Sequence, residues 1–470
     1  MTTPAPEDFF AVGTNVRAVP REESLCQPAA GTIIHIKELP DHMEYFVRFN
    51  PPKDQRLSDW YRYPEMEFVS PVSQNFKTPK IHEVRNIEYI EMGNYKLRTW
   101  YFSPYPPPFN QVEKLFICQR CLKYARKEEI YQKHVSECKF TVPGIKIYED
   151  HMVSVYEVDG RTEKLFCQFL CLFSKLFLDG KTLYYNTEHF VFYVMTIKQS
   201  YLDQDLTDMY SDIKQAQKTP SLPSRRLHTP IQQKGAKSDE EQLVGYFSKE
   251  KLSLNVLSCI LTFPMYLRLG IGNLLMDFAY ILARFENRVG GPEEPLSDLG
   301  EQSFKSYWKK RLYKYLIDKG QEKFGAFIYT ETQNESENES QIEPQKTEDT
   351  LSMSNASVQS WTSQRPRYNR KQGSDFEVQI GDISYETGII AKHVREACEL
   401  VKAKIRKENI VLTKSYYYEC CKQMQKINNT RAQKGNINRH DIDVKYLVWE
   451  PYPAMFQQMT DGGAKEEDGE

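Results

Sequence analysis

At 470 residues, with 40% hydrophobic and 27% charged side chains, the chain is long enough for two or three hydrophobic cores and too polar for a membrane protein. No stretch approaches the roughly 20 apolar residues of a membrane span, and the opening MTTPAPEDFF lacks the basic start and apolar run of a secretory signal, which points to the cytosol or nucleus. A formal net charge of -2 gives no global attraction to nucleic acid, so contact with DNA or an acidic surface requires local patches.

In chain order, residues 12–19, 31–38 and 44–50 read as short strands separated by Pro, Gly and Asp signals, a small β-barrel pattern that ends in Leu57-Ser58-Asp59-Trp60-Tyr61-Arg62-Tyr63. Tyr45, Phe46, Phe49 and Trp60 either fill a very small core or form an aromatic cage for a methylated lysine. Residues 165–178 are too continuously apolar for an exposed helix and should be buried. Residues 201–240 turn polar and read as a loop or disordered insertion, and residues 331–375 do so more strongly, ending in the basic RPRYNRKQ. Beyond Phe376, residues 382–388 and 391–404 read as a short and a longer helix, and residues 456–470 as a disordered tail.

The ten cysteines are scattered except for one tight set, which argues for a metal site rather than a disulfide framework. Cys118, Cys121, His134 and Cys138 stand as Cys-x2-Cys-x12-His-x3-Cys: a turn supplies two thiolates, and one helical face supplies a His and a Cys four apart. Four such ligands close the tetrahedron and leave no place for water, so a structural zinc is favoured over a catalytic one. Lys123, Arg126, Lys127 and Lys133 surround the set, either as a solvated face or as a contact to DNA.

Residues 244–248 and 256–263 read as apolar strands, the second containing Cys259. After Pro264 comes Leu267-Arg268-Leu269-Gly270-Ile271-Gly272-Asn273, then apolar positions 274, 275, 278, 281, 282 and 285, the face of a buried helix. A strand, a two-glycine turn and a helix can make an anion site, because glycines let backbone N–H groups approach phosphate oxygens and the helix start carries partial positive charge. By itself the motif fits a structural turn equally well.

The neighbouring stretches resemble the MYST family of histone acetyltransferases. They are the cysteine–histidine spacing, KLFLDGKTLYY at 175–185, GYFSKEK at 245–251, CILT at 259–262 and GPEEPLSDLG at 291–300. The resemblance covers roughly residues 80–200, 241–325 and 376–450, and the first 75 residues look like the chromo-barrel (tudor-knot-like) domain of Tip-sixty- and MOF-like members. It implies an α+β chain: a small N-terminal β-barrel over 1–75, then an acetyltransferase domain over 80–455. That domain would hold a zinc finger at about 113–138, a central GNAT-like mixed sheet, and a C-terminal helix-turn-helix-like region.

The resemblance also implies roles. Glu293 would be the general base and Cys259 would lie near the acetyl group. Acetyl-coenzyme A would be bound by Ile260, Leu261 and Thr262, by Leu267, Arg268, Leu269, Gly270, Ile271, Gly272 and Asn273, and by Ser297 and Ser306. Lys181 would be an autoacetylated lysine. The chemistry fits a carboxylate base, since a lysine with a pKa near ~10.4 must lose a proton before it attacks a thioester. Spacing alone does not separate Glu293 from Glu294. A cysteine in an apolar strand is most often a small buried hydrophobe, so direct attack in a ternary complex is favoured over an acetyl-cysteine intermediate. The family's loop is usually Gln-Arg-Arg-Gly-Tyr-Gly-Lys. Leu267, Leu269, Ile271 and Asn273 replace four of those seven, two lost cations should weaken cofactor affinity by roughly 1 kcal/mol each, and Asn273 can serve as a helix cap.

The implied function is a nuclear histone acetyltransferase acting on histone tails, H4-like above all, and on nucleosomes, within a chromatin complex that regulates transcription. The barrel would contact nucleic acid or methyl-lysine. The competing reading is a chromatin-binding scaffold with weak catalysis. Retention of Glu293, Cys259, Gly270 and Gly272 favours the enzyme, and the substituted loop favours the scaffold.

Overall fold

Strand-forming runs separated by turn residues curl the N-terminal segment into a five-stranded antiparallel sheet. Its strands are β1 (Asn15–Ala18), β2 (Ala29–Glu38), β3 (Met43–Phe49), β4 (Asp59–Arg62) and β5 (Met66–Ser70), in the order β4-β3-β2-β1-β5. The computed structural model describes residues 10, 12, 14–20, 27–39, 41–50, 57–70, 85–182, 184–216, 228–230, 240–327 and 376–449. Period-two alternation sends Tyr45, Val47 and Phe49 inward with Val16, Ile33 and Tyr61, while Phe46 faces the other way and packs with Ile34 and Trp60. The four aromatics weighed above are therefore divided between two faces. Asp59 docks this unit onto the rest of the chain: its carboxylate lies 3.0 Å from Arg85 and also meets Arg98.

A second sheet carries the metal module. It is formed by β6 (Ile87–Met92), β7 (Tyr95–Arg98), β8 (Val112–Ile117) and β9 (Tyr124–Ala125), followed by α1 (Glu128–Glu137). The third sheet is the centre of the molecule: β10 (Ile145–Glu149), β11 (Val153–Asp159), β12 (Phe190–Lys198), β14 (Glu241–Glu250) and β15 (Cys259–Thr262), side by side in that order. The pairs among these strands are antiparallel, and a parallel bridge from Leu257 to Pro292 extends the sheet beyond β15.

Strands β12 and β14 are buried along nearly their whole length, β12 as a nearly continuous apolar run and β14 with the polar Gln242, Ser248 and Lys249 buried beside the apolar residues at its centre. α2 (Lys164–Lys175) and α4 (Ile271–Phe285) cover opposite faces. Tyr246 reaches Ser174 on α2 at 2.7 Å, while a Cβ on the adjacent Gly245 would lie 3.1 Å from Leu275 on α4.

The polar stretch 201–240 is a correction to the sequence reading where it is described. α3 (Gln199–Ala216) occupies its first part, with Leu202 and Leu206 buried in the main core, and β13 (His228–Pro230) pairs with β7. Leu202 and Leu206, one helical turn apart, seat the first turns of α3 on the core. The expectations for 331–375 and 456–470 lie outside the described residues.

Behind α4 runs α5 (Asp298–Phe324), and the C-terminal part follows: β16 (Phe376–Gln379), α6 (Ile380–Thr387), α7 (Ala391–Leu400), β17 (Ile405–Arg406), β18 (Asn409–Leu412), α8 (Lys414–Gln433) and α9 (Asn436–Arg439). Gly388, at φ 76°, supplies the left-handed stop between α6 and α7. Among the described residues, no helix is long and apolar enough to cross a membrane.

Residues 447–449 close the exposed edge of the central sheet. Val448 N–H donates to the Ile147 carbonyl at 2.8 Å, and the Trp449 indole donates to Glu157 at 2.7 Å. Asp150 anchors the same strap, accepting from His440 Nε2 at 2.7 Å, from the Tyr148 hydroxyl at 2.6 Å, and from the amides of Met152 and Val153. Burial alone would raise the Asp150 carboxyl, but His440, Tyr148 and the two amides outweigh it and hold the carboxyl well below the usual carboxylate range.

Because the folded value is the lower one, this stabilisation is complete above the ordinary carboxylate pKa and is lost as pH falls through the folded value. Asp150→Ala should destabilise the fold by roughly 3–5 kcal/mol at neutral pH. In denaturant titrations the wild-type and variant stabilities should converge in strong acid. Parallel curves down to that range would count against the assignment.

Candidate active site and metal centre

The metal module is built from a turn and a helix end. Leu122, at φ 61°, closes the turn that holds Cys118 and Cys121, and its N–H donates to the Cys118 carbonyl at 2.9 Å. His134 lies in the last turn of α1 and Cys138 caps it, so the spacing of four puts both on one face. The four ligand atoms all lie within 4.8 Å of one another. The Cys118–Cys138 sulfurs are 3.8 Å apart, which matches the edge of a tetrahedron with metal–sulfur bonds of about 2.3 Å, and Cys121 Sγ lies 3.1 Å from His134 Nε2. With the ligand atoms this close together, a zinc ion bound among them would displace the thiol protons. The donor set fits zinc and, with four protein ligands, a structural one.

The module is keyed to the central domain. Gln119 donates to the Tyr266 hydroxyl at 2.7 Å, the ring of Tyr95 packs edge-on against Tyr266, and Gly93 N–H donates to Tyr131 on α1. Tyr266 belongs to the Pro264–Tyr266 turn that opens the glycine loop.

In that loop Arg268 (φ 70°) and Gly270 (φ 91°) both take left-handed conformations. Gly270 is the N-cap of α4, and no side chain caps the helix. Asn273 therefore sits inside the first turn and is not the cap anticipated for it. Leu269 and Ile271 are buried, Leu267 is half-buried and Arg268 is exposed, so the loop presents backbone and one guanidinium to solvent while its apolar side chains anchor it. A helix start without a side-chain cap suits an anion. Ile260, Leu261 and Thr262 lie on β15 opposite Phe247, Tyr246 and Gly245. Ser297 has a duty that the sequence reading did not give it: it is the N-cap of α5, accepting from Gly300 N–H at 3.2 Å. Ser306 is exposed two turns further along α5.

Cys259 opens β15, half-buried, with its sulfur 3.7 Å from Lys181 Nζ and 3.7 Å from the Tyr246 hydroxyl. Lys181 is itself buried. Burial holds the Tyr246 phenol well above its ordinary value, so it stays a neutral donor.

Glu293 N–H donates to the Leu257 carbonyl at 2.9 Å, two residues before Cys259, and its carboxyl group is exposed. Glu294 is differently engaged. It accepts from Lys392 at 2.7 and 2.8 Å and lies 3.2 Å from His393 Nε2, and Lys392 first, then His393, lower its carboxyl. The ring of the buried His393 stacks on Trp308, with centroids 3.9 Å apart, and presses against Gly291, where a Cβ would sit 2.4 Å from its edge. No sequence motif pointed to His393, because it reaches the site from the C-terminal part.

An antiparallel sheet, a strand leading through a left-handed glycine turn into an uncapped helix, and a cysteine–histidine cluster keyed to that turn make up the candidate site. Residues 141–223 and 231–355 match the MOZ/SAS family, and residues 84–138 match the MYST family zinc finger domain. These matches together cover more than half of the chain, and the chain belongs to the MYST family.

Among curated relatives, the histone acetyltransferase esa1 of Emericella nidulans is 40% identical over 246 residues, which is 52% of this chain and 41% of that protein. The histone acetyltransferase mst2 of Schizosaccharomyces pombe is 36% identical over 270 residues, 57% of each chain. The histone acetyltransferase SAS3 of Saccharomyces cerevisiae is 39% identical over 247 residues, 51% of this chain and 26% of that protein. The chain thus spans about half the length, or less, of these relatives.

Proposed function

We propose that this chain is a histone acetyltransferase that moves an acetyl group from acetyl-coenzyme A to a lysine side chain in a ternary complex. The observation that carries the reading is the exposed Glu293 carboxylate, held by Leu257 at the head of the segment that runs through Cys259 into the glycine loop. The coenzyme's phosphates would lie on the loop backbone from Leu267 to Asn273 with Arg268 beside them, and its chain would run along Ile260, Leu261 and Thr262 toward Cys259, with Ser297 and Ser306 on the flank. Glu293 would take the proton from the incoming ammonium, and the freed amine would attack the thioester carbonyl. The pairing of Glu294 with Lys392 supports Glu293 as the base, since a carboxylate held by a cation is the weaker proton acceptor. Cys259 would line the acetyl pocket, and Lys181 beside it would be a site of autoacetylation.

The first 75 residues would serve as a chromo-barrel unit that contacts nucleic acid or methyl-lysine, and α6 with α7 as a helix-turn-helix-like region. The substrates would be histone tails, H4-like above all, on nucleosomes in the nucleus, within a chromatin complex that regulates transcription. The scaffold alternative rests only on the substituted loop, and neither the fold nor the relatives favour it.

Purified, zinc-loaded protein given labelled acetyl-coenzyme A and a histone mixture should transfer label to lysines. Absence of both transfer and coenzyme A binding would end the reading.

A further inference from the structure

The strongest unassigned feature lies where the C-terminal segment crosses the glycine loop. Asp205 on α3 is fully buried and accepts the amides of Asn436 (2.8 Å) and Ile437 (2.7 Å), which fixes the start of α9. A Cβ on Gly435 would lie 2.6 Å from this carboxylate, so the approach tolerates only glycine there. One turn on, the buried Asn438 donates from Nδ2 to the carbonyl of Arg268 at 3.2 Å and to that of Lys434 at the same distance. Its Oδ1 faces Gly270 so closely that a Cβ there would be 2.6 Å away.

The Arg268 carbonyl belongs to a planar trans peptide whose N–H, that of Leu269, points the opposite way. Engaging that carbonyl therefore turns the amide away from α9. Arg268 itself sits at φ 70°, a conformation costing roughly 1–2 kcal/mol for a residue with a side chain, and such a turn persists only where its surroundings hold it. Without a partner for the carbonyl, the peptide can flip and bring an oxygen, rather than an N–H, to the side where an anion would bind.

We infer that Asn438 is a positioning residue for the acyl-donor site: through the Asp205-anchored α9 it fixes the peptide between Arg268 and Leu269 and so sets affinity for the phosphates of acetyl-coenzyme A. The inference rests on the reading of residues 267–273 as the donor loop. Cofactor affinity then depends on a segment 170 residues away in sequence.

The test is calorimetric titration of coenzyme A into the zinc-loaded full chain, alongside steady-state kinetics and thermal melts without ligand. Asn438→Ala should weaken coenzyme A binding about tenfold and raise KM for acetyl-coenzyme A to match. kcat at saturation and KM for the histone peptide should stay within about twofold. Asn438→Asp, which cannot donate to the carbonyl at neutral pH, should weaken binding at least as much. If either variant fails to fold, a double-mutant cycle of Gly270→Ala with Asn438→Ser replaces it, and non-additive losses are expected because the added Cβ meets the Asn438 side chain.

Unchanged affinity in the folded variants overturns the inference. So does a loss shared equally by coenzyme A, histone peptide and melting temperature, which would mark a general structural role. A wild-type protein that does not bind coenzyme A would instead sink the donor-loop reading.

Discussion

Replacing Glu293 with glutamine is expected to lower kcat for lysine acetylation by roughly 100- to 10,000-fold and to leave KM for acetyl-coenzyme A nearly unchanged. A lysine ammonium with a pKa of about 10.4 holds its proton in nearly every molecule at pH 7. Glutamine keeps the size of the side chain and its backbone bond to Leu257 but cannot take that proton. The deficit should shrink as pH rises, because the fraction of free amine grows about tenfold per unit until the lysine itself titrates. Glu294→Gln is the control. Its carboxylate is occupied by Lys392 and His393, so its loss should act on the support of the turn more than on proton transfer. A pH–rate series on both variants checks this, and equal losses with parallel profiles would deny Glu293 its role.

Removing the metal should have the second large effect. The core of the zinc module is four buried residues, Phe116, Cys118, Cys121 and Tyr131, and two of them are ligands. So small a cluster does not offset the ordering entropy of the loop that carries it, whereas a structural zinc supplies on the order of 10–16 kcal/mol of binding free energy in isolated fingers. A chelator, or Cys118→Ser, should release the metal and expose the amides of residues 112–138 to rapid hydrogen exchange. The central sheet should stay protected. The turn at Tyr266 should loosen as well, since Gln119 and Tyr95 hold it from the module. Protection of 112–138 that survives complete metal loss would contradict a structural role.

Much of the site could be read from local spacing. The Cys-x2-Cys turn and the His and Cys four apart on α1 obey geometry within about twenty residues, and the two-glycine turn before an apolar helix did the same for α4. Three things escaped. α3 hid in a polar stretch because the apolar residues Leu202 and Leu206 that it buries are set among polar neighbours. β16 and β18 are too short to show a period, and they exist because they pair with each other across some thirty residues. His393, Asn438 and Asp205 carry no motif at all, and their parts arise from contacts between segments far apart in the chain. Ser297 shows the limit from the other side: a residue implied by resemblance as a cofactor contact has a sufficient local reason to be there as a helix cap.

The strap that runs from α9 over Asp150 to Trp449 has a consequence for how the chain comes to be folded. Its bonds join residues 231, 232, 290 and 292 positions apart, and they are the ones that seat α9 against the glycine loop and close the edge of the central sheet. Contacts of such separation form late, because loop closure is paid before they can reward it. During synthesis the metal module and the strands up to β15 emerge and can pair, yet β10 keeps an open edge and the Arg268 peptide lacks its partner until residues 436–449 have left the ribosome. A chain stopped short of α9 would thus carry nearly all of its central sheet with an unprotected strand and an unfixed glycine loop. That makes it a substrate for aggregation or proteolysis rather than a weaker enzyme.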